Sequence, residues 1–152
     1  MDILKVAKYM FSRIDRSIQV ESNMDMYDQG KYLGRGKIEI NEKRIIEGSK
    51  RKNIDLEVYS FIVIMHEYGH HLDPDLMKMD RKIFEYQKRI NQEGDRAELW
   101  WELKRYSMKA EENAWKYAAE RIPLTIRPIF EKERANSLKE HELILDIKVK
   151  AN

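Results

Sequence analysis

The chain has 152 residues, no cysteine, and 29 Lys plus Arg against 27 Asp plus Glu, a formal net charge of +2. That length fits a single domain, 1–152, able to bury about 70% of its unfolded surface without covalent staples. The lack of cysteine excludes disulfides, thiolate metal sites and thiol nucleophiles, so a metal here must be held by His, Asp or Glu. Positive and negative residues are interleaved, which argues against direct contact with nucleic acid.

The first residues do not read as a secretory leader, because Lys5, Lys8, Arg13 and Asp15 interrupt the apolar positions. The longest apolar run, residues 60–65, is far too short for a bilayer. The expectation is a soluble, cytoplasmic protein with no membrane association. The abundance of Lys, Ile, Glu and Met is what an AT-rich bacterial or phage genome would encode.

Asp2 can cap a first helix over residues 3–18, whose buried stripe is Ile3, Ala7, Met10, Phe11, Ile14 and Ile18. Residues 19–46 read as a small sheet punctuated by Gly30, Gly34 and Gly36. It ends in a strand at Lys37–Ile40, where polar and apolar residues alternate. These glycines match no phosphate-binding loop spacing. A second helix starts at Asn53 or Asp55 and is apolar nearly all round through Met65, so it should be central and buried. Pro74 prevents its continuation. A further helix is expected over residues 81–90, a break at Glu93-Gly94-Asp95, and a long helix over 95–121 stopped before Pro123. The stripe of that long helix is Leu99, Leu103, Tyr106, Ala110, Ala114, Tyr117 and Ala118. One more helix and a terminal strand at 143–149 complete the chain. The fold class is α+β, a mostly helical domain with a small N-terminal sheet.

The second helix carries His66-Glu67-Tyr68-Gly69-His70. Histidines four apart leave one helix face, so two imidazole nitrogens can meet one ion at about 2.0–2.1 Å. Glu67 is rotated about 100° from His66, which places it beside the ion as a base rather than on it as a ligand. Polar groups late in a buried apolar helix are costly and want a partner. A catalytic zinc site usually has three protein ligands. The position for a third histidine in the metzincin spacing is Leu76, which excludes that pattern. His71 points away from His70, and His141-Glu142 lacks a closing histidine. The third ligand must therefore come from Glu98, Glu102, Glu111, Glu112 or Glu120 on the long helix. Helical phase puts Glu111 and Glu102 at the two edges of the buried face, where a carboxylate can reach into a cleft, and Glu112 opposite the core.

His66-Glu67-Tyr68-Gly69-His70, followed by Glu111, Ala114, Tyr117 and Ala118 in register and then Pro123, resembles the ImmA/IrrE family of zinc metallopeptidases. The resemblance spans about residues 30–124. It implies one zinc ion on His66, His70 and Glu111, with Glu67 as the catalytic base. It also implies a substrate-facing edge strand at Lys37, Ile38, Glu39 and Ile40, and a protein or peptide substrate, typically the repressor of a phage, mobile element or stress response. The chain departs from related peptidases at Trp115, where an Asp or Asn often orients a histidine, and Asp73 or Asn113 would have to substitute. The charged stretch between His70 and Glu111 suggests an inserted helix. Tyr106, Tyr117 and His141 are candidates for the oxyanion donor.

Overall fold

A computed structural model describes residues 1–151 of the chain. It is α+β and mostly helical, with six α-helices and one three-stranded sheet among the described residues. The chain forms two compact units, Met1–Leu72 and Asp73–Asn152.

The first unit opens with α1 (Ile3–Ile14), capped by Asp2, whose side chain accepts from the Lys5 N–H at 2.9 Å. Ile3, Ala7 and Phe11 are its buried face. The helix stops four residues before the expected end. Asp15 takes an extended conformation and turns its carboxylate onto the N–H and hydroxyl of Ser17, which offers the backbone an alternative to another helical turn. Ile18 is buried all the same, in the approach to the sheet.

The sheet comprises β1 (Gln19–Ser22), β2 (Gly30–Gly34) and β3 (Lys37–Ile40), in the order β1-β3-β2. Strand β1 runs parallel to β3 and β2 antiparallel to it. A turn in which Gly34, Arg35 and Gly36 all have positive φ joins β2 to β3. Two glycines accept that geometry at little cost, and it closes the hairpin tightly. The expected edge strand is corrected here. Lys37–Ile40 is the middle strand, hydrogen-bonded on both sides, and Ile38 and Ile40 are fully buried. A strand whose backbone groups are paired on both sides cannot accept a further one. The edges are β1 and β2.

Residues 41–52, partly read as sheet from the sequence, instead form α2 (Glu42–Lys52). Asn41 starts it. Its Oδ1 accepts from the Arg44 N–H at 3.2 Å, while its Nδ2 donates to the carbonyls of Met24 and Met26. Helix α3 (Leu56–Leu72) follows, with Asp55 accepting from the Glu57 and Val58 N–H groups at 2.9 and 3.2 Å. Its buried residues lie on several faces: Tyr59, Ser60, Ile62, Ile64, Met65, Glu67, Tyr68 and Gly69. Within this unit it packs against α2, β2 and α1.

The second unit is a helical assembly of α4 (Leu76–Glu93), α5 (Ala97–Ala119) and α6 (Arg127–Ala151). Helix α4 is the inserted helix, longer at both ends than the expected 81–90. Ile90, Leu99 and Leu103 form a small core with Ile83, Tyr86 and Trp100 around it. Further along, Trp115 meets Phe130 edge-on at 5.3 Å. Trp115 is therefore core rather than a variant of an orienting residue. The terminal strand expected at 143–149 is also corrected, because the segment is helical within α6. Glu142 and Asp146 both reach Lys104 of α5. Four apart, they sit about one turn from each other on a helix but about 13 Å apart along a strand, too far to meet one ammonium. No helix among the described residues is long and apolar enough to cross a membrane.

Candidate metal centre

The last two turns of α3 hold the histidine pair. Because the helix is apolar before them and broken by Asp73-Pro74 after them, the polar residues gather at one end. The rings of His66 and His70 lie 4.9 Å apart with planes 72° from parallel, as the four-residue spacing requires.

His66, His70 and Glu111 each offer one ligand atom, and those atoms all lie within 4.8 Å of one another. This group can hold a metal ion. Two imidazole nitrogens and a carboxylate oxygen are donors that divalent first-row metal ions accept. All three side chains are half-buried. Of the four candidate glutamates on α5 and Glu120 just after it, Glu111 is the one in the group. Glu102 is engaged by Arg105 at 2.6 Å, and Glu120 lies 3.6 Å from Arg121. His71 and His141 are not members among the described residues.

Glu67 is not a member either, and only 7% of its surface is exposed. Its Oε2 accepts the backbone N–H of Tyr32 at 2.9 Å. Gly30 lies beside it, and a Cβ there would stand 2.8 Å from Glu67 Cγ and 3.1 Å from Oε1. Strand β2 can approach the carboxylate this closely only with glycine at that point. The strand flanking the candidate base is thus β2, not Lys37–Ile40. Its glycines are plain in the sequence, but a pairing order that places the second strand at an edge has no local signature.

His71 has other partners. Its Nδ1 lies 3.0 Å from the Tyr32 hydroxyl and its Nε2 3.7 Å from Asp15 Oδ2. Tyr68 donates its hydroxyl to the same Asp15 oxygen at 3.0 Å. The Ser17 hydroxyl, with its N–H and the Tyr68 hydroxyl, holds the Asp15 carboxyl below its usual range against a smaller opposing effect of burial. The sequence pattern points to none of these partners, since residues far apart in the chain supply them.

Asp73 and Asn113, considered as substitutes for an orienting residue, are both buried and bonded to each other, Asn113 Nδ2 donating to Asp73 Oδ2 at 3.1 Å. Tyr106, one oxyanion candidate, stacks on Tyr86 at 5.9 Å and accepts from Arg105.

Compared with family models, with curated proteins and with solved structures, the chain matches none.

Proposed function

We propose that the chain is a zinc-dependent peptidase that cuts a regulatory protein at a specific site, for example the repressor of a phage or mobile element. The observation that carries this reading is the grouping of His66, His70 and Glu111 with a fourth polar side chain, Glu67, one residue from a ligand. When bound, zinc supplies a Lewis acid that polarises a carbonyl and makes water nucleophilic at neutral pH.

The protein's own residues would do the rest. His66, His70 and Glu111 hold the ion. Glu67 accepts the proton of the attacking water and returns it to the leaving amine nitrogen. An extended substrate would run along the outer edge of β2 and compete there with Glu67 for the Tyr32 N–H, since the expected strand, Lys37–Ile40, is the middle one of the sheet. The resemblance to the ImmA/IrrE family points the same way and supplies the idea of a repressor as substrate.

Two measurements test this. Protein purified without a histidine tag should carry close to one zinc per chain, and a metal content near zero sinks the reading. Wild type should cleave fluorogenic peptides, or a repressor encoded by a neighbouring gene, and Glu67→Gln should lower the rate by roughly 10²–10⁴-fold while keeping zinc. Equal cleavage, or a cellular effect that survives Glu67→Gln with zinc retained, favours a silent zinc-binding regulatory module instead.

A further inference from the structure

Which groups face the outer edge of β2 follows from its hydrogen bonding. Asn41 N–H donates to the Gln29 carbonyl, and Lys31 pairs with Glu39 two residues on. In an antiparallel pair the intervening residues turn their backbone groups the other way. Gly30 and Tyr32 therefore face outward, and the Tyr32 N–H meets Glu67 there. The side chain of the same residue is held separately. Gly36 N–H donates to the Tyr32 hydroxyl oxygen at 3.2 Å, and the same hydroxyl is hydrogen-bonded to His71 Nδ1 at 3.0 Å. On its other side the ring brings Nε2 to 3.7 Å from Asp15 Oδ2. The imidazole is fixed in plane as well, stacked on Tyr68 at 5.8 Å and edge-on to Tyr32 at 5.6 Å.

We propose that Tyr32 and His71 form a clamp that fixes the outer edge of β2 against the Glu67 carboxylate. His71, next to a ligand in sequence, is thus a positioning residue, anchored on Asp15 and acting through Tyr32. The consequence for catalysis rests on the hydrolytic reading above; the clamp itself does not. It explains why a tyrosine occupies an edge strand with its ring turned to the end of α3. It also gives Asp15 a purpose beyond ending α1.

The test is hydrogen exchange at the Tyr32 amide, followed by NMR on the full chain with and without zinc. Tyr32→Phe keeps the ring and the amide and removes only the hydroxyl. Tyr32→Phe and His71→Ala should each speed exchange at residue 32 by about three- to tenfold, the loss expected for one hydrogen bond. The amides of Ile38 and Ile40 and the zinc affinity should stay within about twofold. His71→Asn, whose Oδ1 can stand where Nδ1 stood, should restore most of the protection. Unchanged exchange at residue 32 in Tyr32→Phe overturns the clamp, as does loss of zinc in His71→Ala, which would make His71 a ligand. A failure of the hydrolytic reading shows elsewhere, as indifference of peptide cleavage to Glu67→Gln, and leaves the exchange result standing.

Discussion

The backbone N–H of Tyr32 and the carboxylate of Glu67 are bonded at 2.9 Å, although the residues are 35 apart in the chain. One strand edge and one candidate catalytic group thereby set each other's position. A carboxylate that accepts a fixed backbone donor loses rotamer freedom, which suits a base that must meet a water in one geometry.

Gly30→Ala should separate metal binding from hydrolysis. The new methyl would fall 2.8 Å from Glu67 Cγ and 3.2 Å from Val63 Cγ1, so the carboxylate or the strand must shift. A displacement near 1 Å in such a site costs up to about 10²-fold in rate. The expected outcome is a 10- to 100-fold fall in kcat/KM on peptide, with zinc affinity within roughly threefold by titration. A variant as active as wild type would show that the approach of β2 to Glu67 does not matter to the chemistry.

Glu111→Ala should abolish the zinc-dependent part of the stability. A ligand that binds only the folded state stabilises it by about 4 kcal/mol at a thousand times its Kd. Zinc should thus raise the wild-type Tm, and a chelator should reverse the gain. With Glu111, His66 or His70 replaced by alanine the shift should vanish or shrink several-fold. Glu102→Ala, at the opposite edge of the same helix face, should keep it in full.

The Asp15 carboxyl is held below its usual value of 3.8, first by the Ser17 hydroxyl. A group whose folded pKa is depressed contributes stability above its unfolded pKa, and that contribution is lost as the pH falls through the folded value. Asp15→Asn should therefore cost roughly 1–3 kcal/mol at pH 7 in urea unfolding, from hydrogen bonds to a charged acceptor. The gap to wild type should begin to narrow as the pH falls below about 4 and should close only below the depressed folded value. A gap independent of pH would assign the loss to packing.

The parts of the site that lie on one helix are legible in the amino-acid sequence. His66, Glu67 and His70 need only a period of 3.6, and the phase of α5 suffices to place Glu111 at the edge of a buried face. What the sequence hides depends on pairing over distance. Lys37–Ile40 alternates cleanly because it is buried on one face, and a middle strand alternates as well as an edge one. The more irregular Gly30–Gly34 carries little β-forming signal, yet it is the edge that meets Glu67. Similarly, residues 143–149 alternate well enough to suggest a strand, but Leu145 is buried while Glu142 and Asp146 bind Lys104, which only a helix arranges.

The Asp73–Asn113 pair offers a test of whether a histidine here needs an orienting carboxylate. Asp73 follows His70 by three residues, which makes it the nearest acidic candidate for that role. Both of its oxygens are already engaged, Oδ1 by the Asp75 N–H at 2.9 Å and Oδ2 by Asn113 at 3.1 Å. Neither residue is more than 8% exposed. A carboxylate bonded to a metal-binding histidine typically changes metal affinity by 10–100-fold when removed. A carboxylate spent on a buried amide should instead change stability. Asn113→Ala is expected to cost about 1–3 kcal/mol, since it leaves a buried acceptor without its donor. Zinc affinity should move by less than about threefold, well short of the effect of losing an orienting partner. A tenfold or greater loss of zinc affinity at unchanged stability would return Asp73 to the metal site and make Asn113 part of its support.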